Sequence, residues 1–215
     1  MLKTISSLVF KDRTWFLGFY LLAIVLLIGL VIFSVKADVH FGDLTRDPSA
    51  ITASSPYYGV LSNLGAIVWS FSVAICLLTY VILKTSSTSS KVERLFVLYG
   101  GMLGLLLLLD DMFLLHEEVV PRVLGIDEKV VYAAYILNIL GYLISFRKII
   151  LKSTNYVFLG LFLGFLGLSV GIDMLPEFSE KWHYLFEDGA KFMGIVSWLG
   201  YQFLVAKQLL TQKRT

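Results

Sequence analysis

The sequence predicts an all-α polytopic integral membrane protein, a bundle of six transmembrane helices with both termini cytoplasmic. Three observations carry this reading. Of 215 residues, 57% are hydrophobic and only 16% charged, with mean hydropathy +0.79, whereas a soluble domain is about a quarter charged. Six apolar runs each approach the roughly 20 helical residues needed to cross a bilayer core. The basic residues gather on one side of those runs.

The elements follow in order. Residues 1–14 put Leu2, Ile5 and Val9 on one face, with Lys3 and Lys11 elsewhere, which predicts an interfacial amphipathic helix. The first span is 15–35. Its apolar core is too long for a cleavable signal, and Val35-Lys36-Ala37 is a poor cleavage site. The segment from Lys36 to Tyr57 carries Asp38, His40, Asp43, Asp47, Pro48 and Pro56. It is expected to lie outside and fold over the outer mouth. Further spans are expected at 58–83, 95–118, 130–147, 156–175 and 187–207. The polar stretch KTSSTSSKVER between the second and third reads as a flexible cytoplasmic link. Residues 1–215 form a single membrane domain in this reading, with no separate soluble part.

Orientation comes from charge. Three basic residues fall at each predicted cytoplasmic segment: Lys3, Lys11 and Arg13; Lys84, Lys91 and Arg94; Arg147, Lys148 and Lys152; Lys207, Lys213 and Arg214. By the positive-inside rule these ends are cytoplasmic, in a plasma membrane or a bacterial inner membrane. Membrane lipids are then the obligatory partners. No basic run with interleaved aromatics suggests nucleic acid. The single cysteine, Cys76, excludes a disulfide framework.

The third span ends in LLLLLDDMFLLHEEVVP. Asp110 and Asp111 sit about two turns inside its outer end. A membrane-buried acid costs about 2.5–3.5 kcal/mol on insertion scales, so it needs a partner or a polar cavity. On a regular helix Asp110 and Glu117 coincide, as do Asp111 and Glu118, His116 points away from both pairs, and Pro121 ends the helix. The sixth span offers Glu180, His183, Glu187 and Lys191 on one face. Lys191 lies at a depth similar to Asp110, so Asp110 or Asp111 is expected to pair with it. Asp173, Asp188, Ser62, Asn63, Tyr132 and Tyr135 lie at the same level. The inner halves of the spans carry polar side chains such as Ser72, Asn138 and Gln202 but no charge, which favours a cavity open to the outside over a through-path.

Chemistry follows from these residue types. Asp110, Asp111, Glu117, Glu187 and Lys191 are the candidate acid–base groups. His116, His183, Asp110 and Glu187 are candidate ligands for a divalent metal such as zinc, which would generate a hydroxide nucleophile for a lipid or amphiphile substrate. His183-x-x-x-Glu187 partly resembles the last-span metal motif of the membrane hydrolases that include the alkaline ceramidases. Ser62 lacks the histidine that follows in their early Ser-x-x-x-His, so the ligand pattern is half complete. Two other readings stand beside this one: binding or transport of a proton, cation or small solute, and an ion-pair network that only fixes packing.

The fifth span carries Gly160, Gly164, Gly167 and Gly171 on one stripe. Such a stripe admits a second helix at close range, chiefly one of the same subunit, otherwise a second copy in a homo-oligomer. Gly100 and Gly104 are its expected partner surface.

Overall fold

The computed structural model describes residues 13–153, 155–176 and 182–211. Most of the expected interfacial segment, together with Glu180, Lys213 and Arg214, lies outside the described residues. Helix is the only regular secondary structure among those described. The chain divides into two compact units, one ending at Tyr58 and the other starting at Gly59.

The first unit holds α1 (Arg13–Ala37), α2 (Phe41–Thr45) and α3 (Pro48–Ile51). α1 is apolar on every face between its charged ends. The loop that follows folds locally into α2 and α3. His40 caps α2 by accepting from the Gly42 N–H at 3.0 Å, and Asp47 caps α3 by accepting from Ser49 at 2.8 Å. Each satisfies an orphan amide of a helix start.

The second unit contains α4 (Val60–Thr85), α5 (Lys91–Phe113), a π-turn (Leu115–Val119), α6 (Val120–Leu124), α7 (Glu128–Ser153), α8 (Tyr156–Asp173) and α9 (Trp182–Thr211). A capping box starts α5: Glu93 N–H donates to Ser90 Oγ at 3.2 Å, and Ser90 N–H to Glu93 Oε2 at 2.9 Å. Among the described residues, five helices, α1, α4, α5, α7 and α8, are long and apolar enough to cross a membrane. α9 is the longest at 30 residues but is not among the five. It carries Glu187, Asp188, Lys191 and Gln202, and much of its surface is buried by protein. The face that α9 packs on its neighbours needs no all-round apolarity, while Phe186, Met193 and Phe203 lie on its exposed face.

α9 packs on α8 and α4, α4 packs on α5, and α5 meets α7. Trp198 of α9 is 1% exposed and stands at the centre. Its ring lies 4.7 Å from Phe162, 5.9 Å from Tyr142 and 6.5 Å from Trp69.

Glycines set the close approaches, though not those expected. A Cβ on Gly100 would stand 2.8 Å from Gln202 Nε2, and one on Gly104 3.2 Å from Trp198 Nε1. These two therefore receive α9, not the stripe of α8. A Cβ on Gly160, Gly164, Gly167 or Gly171 would meet nothing within 4 Å. Within the unit that starts at Gly59, the described residues leave this stripe unfilled.

Candidate functional site

The site grows out of an irregular helix end. α5 stops at Phe113, and Leu114 takes a left-handed conformation with φ +51°. The chain then makes one π-turn instead of continuing at 100° per residue. This overturns the regular-helix expectation for His116. The turn swings its ring back over Asp110. The His116 backbone N–H donates to Asp110 Oδ1 at 2.9 Å, and Nδ1 meets Oδ2 at 2.7 Å. Pro121 does not end the segment either. It sits in the first turn of α6, where its missing N–H costs nothing, and Gly125 at φ +65° stops that helix.

Asp110 accepts a third bond, from the Tyr135 hydroxyl of α7 at 2.8 Å. On the far side of the imidazole, Nε2 lies 3.0 Å from the Tyr132 hydroxyl, which in turn lies 3.3 Å from Asp173 Oδ2. The result is a hydrogen-bonded chain from Asp110 through His116 and Tyr132 to Asp173, linking α5, the π-turn, α7 and α8. One helical turn of α7 separates Tyr132 from Tyr135, so both hydroxyls face the same way.

The neighbouring acid follows the expectation from depth. Lys191 Nζ lies 2.6 Å from Asp111 Oδ1, joining α9 to α5. The Asp111 side chain is only 6% exposed.

These groups border one cavity of about 150 Å³. Asp110, Asp111, His116, Glu117, Asp173, Glu187, Lys191, Tyr132 and Tyr135 all line it. A space of this size holds a guest about as large as benzene. Glu117 and Asp173 are exposed at its rim, and Trp69 and Ile195 line its buried part. Other expected members are not in its wall. His183 is buried and lies 3.8 Å from Glu187, one turn along α9. Asp188 and Ser62 line a separate cleft of about 20 Å³ on another side of Lys191. Asn63 is exposed in the first turn of α4 and lines neither.

Glu128, Ser169 and Trp69 also line the cavity, and sequence reasoning did not single them out for a site. Glu128 falls outside the expected fourth span, in what reads as a connecting loop. Ser169 and Trp69 look like ordinary packing residues. Only the convergence of α4, α7 and α8 reveals them.

His116 lies beyond the end of the α5 span. Burial alone pulls its imidazole down. The hydrogen bond and charge of Asp110, with Glu117 and Glu128 behind it, outweigh burial and raise it above the ordinary histidine value.

Among the described residues, no three His, Cys, Asp or Glu side chains gather closely enough to hold a metal ion. The expected zinc site therefore finds no supporting geometry, because His116 is turned to Asp110 and Tyr132 while His183 lies outside the cavity wall.

Fold and site together define a helical protein with several apolar helices of membrane-crossing length and a carboxylate-rich cavity between them. The chain belongs to a family described as a domain of unknown function (DUF8692), matched over residues 18–205. No curated protein and no solved structure matches it.

Proposed function

We propose that this protein is a six-span membrane protein, with α9 as the sixth span, whose cavity binds a small organic cation from the outer side. One observation supports this above all. Six carboxyl groups line the cavity: Asp110, Asp111, Glu117, Glu128, Asp173 and Glu187. Lys191 and a charged His116 offset two of them, and four carboxyl groups remain. Trp69, Tyr132 and Tyr135 add aromatic rings to the same wall. Carboxylates with aromatic faces suit an ammonium group. A bare metal ion would need ligands that converge, and these are spread around the wall.

Binding is coupled to a proton in this reading. Tyr132 has one hydroxyl proton and two acceptors in reach, His116 Nε2 and Asp173 Oδ2. A neutral His116 accepts that proton. A charged His116 donates to the Tyr132 oxygen and leaves its proton for Asp173. An incoming cation competes with the His116 charge for the same carboxylates, so it favours the neutral imidazole.

The cavity floor argues for binding rather than passage. Trp69 lies at the base with Phe162 at 6.3 Å and Trp198 at 6.5 Å, and this aromatic layer is almost fully buried. The Asp111–Lys191 pair also serves packing, since it ties α5 to α9.

The test is titration of the purified protein in bilayer nanodiscs with tetramethylammonium, followed by tryptophan fluorescence. Saturable binding that Glu117→Gln with Glu187→Gln weakens at least about tenfold supports the reading. Absence of saturable binding, or binding indifferent to both substitutions, defeats it.

A further inference from the structure

We propose that the cation bound in the cavity is the headgroup of a single-chain amphiphile whose tail lies in the groove between α5 and α7. This rests on the reading of the cavity as a cation site and adds the ligand's class. The groove has a volume of about 620 Å³ and is lined by Leu95, Leu98, Met102 and Leu106 of α5 with Asn138 and Phe146 of α7.

Three features of this groove point to a tail. It adjoins the cavity along the same helices: Leu106 of the groove and Asp110 of the cavity lie one turn apart on α5, as do Asn138 and Tyr135 on α7. The same two helices thus wall both spaces, with the acids at one end and leucines below. The groove also has the right length. Leu106 to Leu95 spans eleven residues of helix, or about 16 Å at 1.5 Å per residue. That is about half of a hydrocarbon core of roughly 30 Å, the depth one leaflet's chains occupy. Finally, its wall is open to the surrounding lipid. Met102 is 50% exposed and Leu95 is 44% exposed, whereas Leu103 behind them is 2% exposed. One furrow admits one chain.

Charge decides the head. The groove's end nearest Asp110 adjoins a cavity with four carboxyl groups beyond those matched by Lys191 and His116. An anionic or zwitterionic head would put a phosphate or carboxylate against them. An ammonium head alone matches the wall, and the tail then stays in an apolar furrow without crossing the acids.

The experiment uses the full chain in nanodiscs and an alkyl trimethylammonium with a photoactivatable diazirine at mid-chain. Labelling is expected on α5 between Leu95 and Leu106 and should be displaced by excess tetramethylammonium. Met102→Trp, which fills the furrow, is expected to cut labelling about tenfold, one decade of affinity, while tetramethylammonium binding is retained. Leu98→Trp serves as a second blocking variant, and retained tetramethylammonium binding shows that each variant is folded. If tetramethylammonium binds but labelling spreads over lipid-facing residues such as Leu78 and Leu168, or survives both tryptophans, the tail assignment is wrong and the cation site stands. If tetramethylammonium itself fails to bind, both fall together.

Discussion

Asp110 and His116, six residues apart, are joined twice, once through the histidine backbone N–H and once through its ring. A continuous α-helix cannot do this, because six residues carry a side chain 600° round the axis, well away from its starting face. The left-handed Leu114 and the π-turn supply the missing rotation. π-turns inside helices are frequent at functional sites, and here one builds the central contact of the cavity.

The raised His116 titration gives a signed prediction. Its unfolded value is near 6.5, and the folded value is higher. The stabilisation is therefore full below pH 6.5 and is lost as pH rises through the folded value. Thermal melting of the wild type should fall across that window, and His116→Asn should flatten the slope. A wild-type profile flat from pH 6 upward contradicts the assignment.

Asp111→Asn leaves Lys191 without its 2.6 Å partner. Breaking a buried pair costs roughly 3–5 kcal/mol, and the partly exposed lysine puts this case at the lower end. Removing both charges, as Asp111→Leu with Lys191→Met, should recover most of the loss. Denaturant titration of the three proteins reads it directly.

Tyr132→Phe removes the hydroxyl between His116 and Asp173. Loss of a hydrogen bond to such groups costs about 1–3 kcal/mol. Tetramethylammonium binding should persist with its pH dependence flattened, because the two acceptors no longer share a proton. An unchanged pH profile of affinity would remove Tyr132 from the coupling.

Two glycine sets should respond oppositely to alanine. Gly100→Ala drives a Cβ to 2.8 Å from Gln202, and overpacking of this kind costs about 1–3 kcal/mol. Gly164→Ala meets nothing within 4 Å and gains up to about 1 kcal/mol of helix propensity. Melting temperatures of the two variants should move in opposite directions.

The sequence made some of this legible and hid the rest for identifiable reasons. A pairing of Lys191 with Asp110 or Asp111 was readable because all three are costly at the same depth, and depth follows from counting residues along two helices; only the structure picks Asp111. The apolar runs marked α1, α4, α5, α7 and α8 for the same reason. The place of His116 was not readable, since a helical wheel assumes the rotation that Leu114 breaks. The roles of Gly100 and Gly104 were hidden too. A glycine stripe announces close approach without naming its neighbour, and α9 rather than α8 fills the notch. Glu128 looked like loop because α7 begins earlier than its apolar run.

The aromatic layer of Trp69, Trp198 and Phe162 has an electrical consequence. An elementary charge carried across the whole membrane exchanges about 2.3 kcal/mol per 100 mV with the field. A cation that enters from outside and halts above this layer travels only part of that way. Its affinity should therefore respond weakly to membrane voltage, and the protein should carry no steady current.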